Sequence, residues 1–194
     1  LGSSGYIEYD EVDAFSSDIR GIASSIGDLA QEGEYKSAFT LVRRLVDQVS
    51  TVAIDDSMGT TTWIMGDLID IIKRILDEGP DFLHQVVFDW LYVGLKEEVF
   101  HKHSSQWTDV LMMYFSAENQ LHKKLALINK KLQHYEERGL SRRTPIYTNW
   151  LGYKLKTLWA LGYEERAKQL VSINSDLPEL GLLVVERHLS HREY

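Results

Sequence analysis

Apolar residues recur three and four positions apart along almost the whole chain from Asp10 onward, a spacing that predicts helices. The first helix is predicted to end at a glycine cap, Gly33, and a second follows at once up to the loop that begins at Ala53. Because so few residues separate them, these two helices are predicted to form an antiparallel hairpin. Their inward positions are Phe15, Ile19, Ile22, Ile26 and Leu29 in the first helix and Ala38, Leu41, Val42, Leu45, Val46 and Val49 in the second.

The same periodicity predicts seven further helices, at about residues 62–78, 80–98, 105–116, 117–138, 146–161, 163–173 and 177–190. The helices at about 62–78 and 80–98 are apolar over more than one face, which predicts that both are packed on two sides. No stretch of β-branched residues alternates for long enough to predict a strand. The sequence therefore predicts an all-α protein of eight or nine helices.

One short pattern occurs twice: a glycine, an alanine five residues later and a leucine eight residues later. The two copies are Gly33, Ala38 and Leu41, and Gly162, Ala167 and Leu170. Each copy follows one helix and opens the next, which resembles the hairpin of tetratricopeptide repeats, where a small Ala lets two helices approach closely. We predict an irregular array of antiparallel helical hairpins, an α–α superhelix of tetratricopeptide or HEAT type, with a compact helical bundle as the alternative.

Length and composition bound the domain organisation. Residues 1–9 form a leading segment, and residues 10–194 are predicted to be one repeat-like domain, with a candidate internal boundary in the connector 139–145. The absence of Cys excludes disulfides, thiol nucleophiles and zinc sites with thiolate ligands. No apolar run approaches the roughly 20 residues that span a membrane. The chain begins at Leu1 without a signal-peptide pattern, so we expect a module excised from a larger cytoplasmic protein.

The N-terminal residues carry a family resemblance. Residues 5–9 (Gly-Tyr-Ile-Glu-Tyr), followed by a helix with Phe15 and Ile19, resemble the start of the helical region of bacterial SWIM zinc-finger proteins, and residues 55–59 (Asp-Asp-Ser-Met-Gly) resemble an acidic loop there. The resemblance covers mainly residues 5–60. The zinc site of that family is a separate upstream element with Cys ligands, which this chain lacks, so no zinc-binding or nucleic-acid-binding role is carried onto any residue. The resemblance implies a C-terminal helical module of a larger intracellular protein.

The loop around Asp55 and Asp56 has two interpretations. Clustered carboxylates followed by Gly59 suit a hard cation such as Ca²⁺ or Mg²⁺, although the loop lacks the third carboxylate and the closing glutamate of an EF-hand. The simpler interpretation is a turn in which Asp56 or Ser57 bonds backbone amides and caps the next helix. We favour the turn and expect no metal there.

Other chemical candidates are sparse. His101 with His103 and His188 with His191 have the spacing of metal-ligand pairs, but no third ligand follows at local spacing, so surface histidines are the favoured interpretation. Adjacent glutamates on a helix point about 100° apart and do not form an acid–base pair. The nucleophile elbow, the phosphate-binding glycine loop and the His-Glu-x-x-His motif are all missing from the sequence. We therefore expect neither catalysis nor a cofactor.

Charge is distributed unevenly along the chain. Residues 1–121 contain 8 basic and 21 acidic side chains, whereas residues 122–156 contain 9 basic and 2 acidic ones. Lys123, Lys130 and Lys131 recur at helical spacing and are predicted to line one solvent-exposed face. The candidate contact residues are Lys123, Lys124, Lys130, Lys131, Arg138, Arg142 and Arg143.

Three interpretations of the basic block are open. It binds phosphate backbones with help from neighbouring aromatic residues, or it contacts an acidic partner or domain, or it is a solvated helix face. The net charge of −8 disfavours a dedicated nucleic-acid-binding protein. We predict a non-catalytic helical scaffold module that binds a protein partner through residues 122–143. The alternative is an accessory nucleic-acid-binding module that acts through residues 122–156 beside an upstream SWIM zinc finger.

Overall fold

The structure, a computed structural model, describes residues 6–7, 9–51, 53–54, 59–100 and 103–190. Two strands of two residues each, β1 (Tyr6–Ile7) and β2 (Ala53–Ile54), pair in parallel in this part of the chain. The same residues contain nine helices: α1 (Tyr9–Gln31), α2 (Tyr35–Thr51), α3 (Thr60–Glu78), α4 (Asp81–Lys96), α5 (Ser104–Tyr114), α6 (Glu118–Glu137), α7 (Pro145–Ala160), α8 (Glu164–Ile173) and α9 (Pro178–Ser190). The predicted all-α class is confirmed, and the helices begin and end within about two residues of the predicted positions.

The chain divides into two compact units, residues 1–114 and residues 115–194. The connector 139–145, which the sequence marks as a candidate boundary, lies inside the second unit. There it joins α6 to α7, and these two helices share the most extensive helix–helix contact of that unit. None of the helices in the described ranges is both long and apolar enough to cross a membrane.

The first unit is organised around α3. This helix contacts α1, α2, α4 and α5, so its apolar residues are covered from several sides. Ile64, Leu68, Ile72 and Ile75 are completely buried, and Met65 and Leu76 beside them are nearly so. The prediction that this helix is packed on two sides is confirmed.

The same prediction holds for part of α4. This helix packs against α5 and α3, and its Trp90 ring contacts Phe39 of α2. Its buried residues cover a broad arc of the helix and are Leu83, Val87, Phe88, Leu91, Gly94 and Leu95. Phe82 and Val93, on the remaining side, are 59% and 53% exposed. The apolar residues on that remaining side of α4 therefore stay exposed.

An aromatic cluster joins α2, α4 and α5 in the first unit. The centre of the Trp90 ring lies 5.6 Å from the ring centre of Phe39, 5.4 Å from that of Phe100 and 5.2 Å from that of Trp107. All three pairs are edge-on, an arrangement that aromatic rings favour. Gly94 lies one turn after Trp90 and makes room for Phe100. A Cβ atom on Gly94 would stand 2.3 Å from Cζ of that ring.

The second unit is organised around α7, which contacts α6, α8 and α9. Leu151, Leu155 and Leu158 of α7 are buried. The last helix is held by Arg187, whose guanidinium donates to both carboxylate oxygens of Glu164 at 2.9 and 2.5 Å and lies 4.7 Å from the centre of the Trp159 ring. One side chain therefore ties α9 to α8 and α7.

Three tight turns share one geometry. Gly33, Gly139 and Gly162 follow α1, α6 and α7 with φ of 85°, 70° and 72°, values that favour glycine. In each case the residue after the glycine donates its N–H to a carbonyl five positions earlier, which closes the helix end. Ala38 and Ala167, the alanines of the twofold sequence pattern, are both buried, as expected where two helices approach closely.

Candidate functional site

The second unit contains a cleft of about 230 Å³ between α6, α7 and α8. Its floor and one edge are apolar and come from all three helices: Leu132, Leu151, Leu170 and Ile173. Leu132 and Leu151 are buried, whereas Ile173 is 63% exposed and forms an open edge. The remaining lining is polar and comes from α6, the connector, α7 and the end of α8: Asn129, Gln133, Glu136, Arg142, Tyr147, Lys154 and Asn174.

The hairpin of α6 and α7 explains why these residues meet. The chain reverses in residues 138–144, so positions at equal distances from the middle of that turn face one another across the hairpin. Glu136 and Tyr147 form one such pair, and the hydroxyl of Tyr147 donates to Oε1 of Glu136 at 2.5 Å. The pairs Leu132 with Leu151 and Asn129 with Lys154 have the same midpoint, and all four residues also line the cleft.

Tyr147 holds Glu136 at one end of the cleft. Burial raises the pKa of Tyr147 to about 12, the hydrogen bond to Glu136 adds to the increase, and the nearby Arg142 guanidinium opposes it. The phenol therefore remains a neutral donor at physiological pH. It engages one carboxylate oxygen of Glu136, the one acidic side chain among the described residues that line the cleft.

Lys154, which is paired with Asn129 across the hairpin, supplies a positive charge at the other end of the cleft. Its side chain is half-buried. Burial lowers the pKa of Lys154, the positive charge of Arg166 lowers it further, and the negative charge of Glu136 opposes the decrease. Arg166 in turn lies 5.2 Å from the centre of the Tyr163 ring. The described lining residues thus include two cations, Arg142 and Lys154, and one carboxylate, Glu136. Outside the lining, Arg166 lies near Lys154, and Glu137 accepts a hydrogen bond from Gln133 at 2.9 Å.

The predicted basic face of α6 separates into two faces. Lys123 and Lys130, seven residues apart, are both exposed. Lys124 and Lys131 lie about 100° further round the helix, on the side that packs: Lys124 is 2% exposed and Lys131 is half-buried. Of the three lysines predicted to line one solvent-exposed face, Lys123 and Lys130 are exposed and Lys131 is half-buried. Lys124, named separately as a candidate contact residue, is buried.

Lys124 has a structural contact instead. Its Nζ donates to the backbone carbonyl of Phe115, in the short link between α5 and α6. Burial lowers the pKa of Lys124 to about 8. The side chain thus supplies a donor to a carbonyl beyond the last turn of α5.

The three predicted arginines are exposed but differ in their surroundings. Arg138 follows the last residue of α6, and Arg143 donates to Asp176 at 3.2 Å between two exposed side chains, an ion pair that contributes little to stability. Arg142 lines the cleft. Of the seven residues named from sequence, Arg142 alone lies in the cleft.

The other sequence candidates lie apart from the cleft. Asp55, Asp56, His101 and His191 fall outside the described residues. His103 is buried, and its Nε2 lies 3.1 Å from Oγ1 of Thr61. His188 is exposed, with Nδ1 2.7 Å from the carbonyl of Val184. The described residues contain no cluster of three or more side chains that suits a metal ion.

Sequence reasoning missed most of the cleft. It placed Tyr147 and Lys154 in the basic block but did not select them, and it gave no role to Leu151, Ile173 or Asn174. A usable signal was present: the α6–α7 connector is short, so reading outward from its middle pairs Glu136 with Tyr147. The contribution of α8 has no local signal, because it depends on how α8 packs against α7.

No protein-family model, curated protein or solved structure matches this chain.

Proposed function

We propose that this chain is a non-catalytic helical module that binds a segment of a partner protein in the cleft between α6, α7 and α8. The observation that supports this most directly is the make-up of the cleft. It joins an apolar floor to a rim of amides and cations, the combination by which helical grooves hold a polypeptide. Leu132 and Leu151 would accept an apolar side chain, and the amide of Asn129 would meet the backbone beside it. The Nε2 of Gln133 donates to Glu137, so Gln133 would offer its amide oxygen.

The size of the cleft favours a polypeptide over a small metabolite. Its volume of about 230 Å³ lies below the roughly 300–1,000 Å³ of typical small-molecule sites. It is open at Ile173, so a bound chain could enter and leave along the surface. A segment that places one apolar side chain on the floor and continues over the rim fits these dimensions.

A random-peptide display selection tests this proposal. The immobilised chain is panned against a library of 12-residue peptides, and the binders are measured against two variants. Ile173→Arg blocks the exposed edge of the cleft, and Ile146→Arg makes the same change at another exposed isoleucine of the second unit, outside the cleft lining. We expect binders that lose at least tenfold in affinity for Ile173→Arg and keep their affinity for Ile146→Arg.

Two outcomes would reject the proposal. One is a selection that enriches no peptide. The other is a set of binders that both variants weaken equally, which would place the binding elsewhere or reflect a loss of folding. Circular dichroism of both variants separates these last two explanations.

The alternative function, an accessory nucleic-acid-binding module beside an upstream SWIM zinc finger, is supported by a different surface. Lys123 and Lys130 are exposed on one face of α6, about 10 Å apart along the helix, and Arg138 lies exposed beyond its end. Two or three phosphate contacts are a small number, and the chain as a whole is acidic. We therefore place this function second.

Fluorescence anisotropy with labelled single- and double-stranded DNA and RNA, across a salt series, tests the alternative. Phosphate contacts predict an affinity that falls linearly with log salt and is lost in Lys123→Glu/Lys130→Glu. Lys36→Glu/Lys168→Glu makes the same change of charge at two exposed lysines away from α6 and serves as the control. No binding at about 50 mM salt, where phosphate contacts are strong, would remove the alternative.

A further inference from the structure

We propose that the cleft between α6, α7 and α8 recognises a carboxylate carried beside an apolar side chain, supplied by a Glu or Asp residue within the partner's bound segment. This inference rests on the function proposed above and adds the chemistry of the ligand. It is a stricter claim than peptide binding, because it names the group that the cationic rim would meet.

The balance of charge around the cleft is the first step of the argument. Lys154 and Arg142 line the cleft, and Arg166 lies close enough to lower the pKa of Lys154. Glu136 is the one acidic side chain among the described lining residues, and one of its oxygens accepts the hydroxyl of Tyr147 at 2.5 Å. Outside the lining, Glu137 accepts from Gln133. The three cations outnumber these two carboxylates, so an added carboxylate would improve the balance.

The second step is the position of the floor relative to the charges. Leu132 and Leu151 lie between the Asn129–Lys154 pair and the Glu136–Tyr147 pair along the hairpin. Asn129 and Glu136 are seven residues apart on α6, or about 10 Å, which an extended peptide crosses in about three residues. A ligand with its apolar side chain on the floor would thus carry the side chains two positions before and after it, which lie on the same face of an extended chain, to the charged ends.

The third step is the state of Lys154. Its ammonium is half-buried and next to another cation, two conditions that lower its pKa and make the charged form costly. A carboxylate at hydrogen-bond distance would remove that cost by forming a charge-assisted hydrogen bond. The gain is larger here than at an exposed lysine, because the surroundings exclude part of the water.

Binding of four peptides by the full chain tests this inference. Three are decapeptides with blocked termini and a central Leu that has Glu, Gln or Lys two positions before and two positions after it. The fourth has Gln at those positions and a free C-terminal carboxylate after Leu. All four carry the same fluorescein label, so the charge of the label is constant across the series. We expect the Glu peptide to bind about tenfold more tightly than the Gln peptide and the Lys peptide to bind weakest, as charge-assisted hydrogen bonds predict.

Variants of the chain show which of its residues cause the preference for the Glu peptide over the Gln peptide. Lys154→Gln is expected to reduce the Glu-over-Gln preference to about twofold or less, whereas Lys154→Arg keeps the charge and is expected to keep the preference. Lys156→Gln removes the same charge at an exposed position of α7 outside the cleft lining and is the matched control. Arg142→Gln provides a second test at an exposed cation, where no buried space is created. Because the measure is a ratio of two affinities, partial loss of folding leaves it unchanged.

Equal binding of the Glu and Gln peptides would overturn this inference and leave the proposed function intact. A preference for Glu that survives both Lys154→Gln and Arg142→Gln would also overturn it, since the carboxylate would then bind elsewhere. Tight binding confined to the peptide with a free C terminus would overturn the side-chain source of the carboxylate. Failure of every peptide, including those from the display selection, would instead reject the proposed function itself.

Discussion

At the scale of single residues, Lys124 shows that two lysines adjacent in sequence can lie in different environments, because consecutive residues of a helix point about 100° apart. The sequence groups it with Lys123, its neighbour, as part of a basic surface. In the structure Lys123 is exposed, while Lys124 is buried and donates to the carbonyl of Phe115. The pKa of Lys124 is about 8, below the ordinary value of 10.5, so folding carries a cost for charging this amine.

Lys124 therefore predicts a pH dependence of stability. Between pH 8 and 10.5 the unfolded chain binds more protons at this site than the folded chain, so its contribution to the free energy of unfolding rises with pH across that window. Below pH 8 both forms are charged and the cost is constant. In Lys124→Met, which carries no charge, this rise is absent. Urea unfolding at pH 7, 8, 9 and 10 should show a stability gain of the variant over the wild type that is largest at pH 7 and shrinks by pH 10.

Lys123→Met is the control for that measurement, because it removes an exposed ammonium from the same helix. Comparison with variants also cancels the titration of other groups, such as Tyr147, whose pKa is raised to about 12. A difference between wild type and Lys124→Met that stays constant from pH 7 to 10 would contradict the assignment of a buried, charged lysine.

Gly94 gives a second prediction at the scale of one residue. A Cβ at this position would meet Cζ of Phe100 at 2.3 Å, inside the aromatic cluster around Trp90 and Trp107. Gly94→Ala should lower the free energy of unfolding by about 1–3 kcal/mol, the usual cost of overfilling a packed core. Gly21→Ala, in α1 with no neighbouring atom within 4 Å of the added Cβ, should be neutral or stabilise by up to about 1 kcal/mol. Denaturant unfolding measures both, and equal effects would refute the steric argument.

At the scale of helices, hydrophobic periodicity predicts well that a helix forms and where it begins and ends. It predicts poorly which other elements pack against that helix. All nine helices appear close to their predicted positions because each has an apolar face that must be covered. Burial was mispredicted where an apolar face has no partner in the described residues, as at Phe82 and Val93 of α4. The cleft was half predictable: the α6–α7 pairing follows from a short turn, but the edge supplied by Ile173 follows from tertiary packing of α8.

The contacts of Arg187 predict how much this residue contributes to the stability of the second unit. Its planar guanidinium donates to both oxygens of Glu164 and lies 4.7 Å from the centre of the Trp159 ring. A lysine cannot form the two parallel bonds and contacts an aromatic ring less well. Arg187→Lys should therefore destabilise the second unit by about 1 kcal/mol. Arg138→Lys, at an exposed position, should have no effect in the same thermal or denaturant unfolding measurement.

At the scale of the whole molecule, the two units differ in charge. Residues 1–114 hold 20 acidic and 8 basic side chains, and residues 115–194 hold 9 acidic and 13 basic ones. The proposed carboxylate site thus belongs to the unit with an excess of cations, although the chain as a whole is acidic. The sequence predicts one domain over residues 10–194 and offers 139–145 only as a candidate internal boundary, because Gly139 and Pro145 mark a loop. The division observed at Tyr114 and Phe115 is not marked by Gly, Pro or a run of charge, and Phe115 is itself buried.

Each unit has its own central helix and its own buried apolar residues, α3 with Ile64 and Leu68 in the first and α7 with Leu151 and Leu155 in the second. We therefore expect the units to unfold as separate cooperative elements. Hydrogen exchange followed by mass spectrometry should show Gly94→Ala accelerating exchange in peptides from residues 59–100 and 103–114 while leaving residues 118–190 unchanged. Arg187→Lys should do the reverse. If either substitution accelerates exchange equally in both ranges, the chain unfolds as one cooperative unit, and the core of each unit depends on the other.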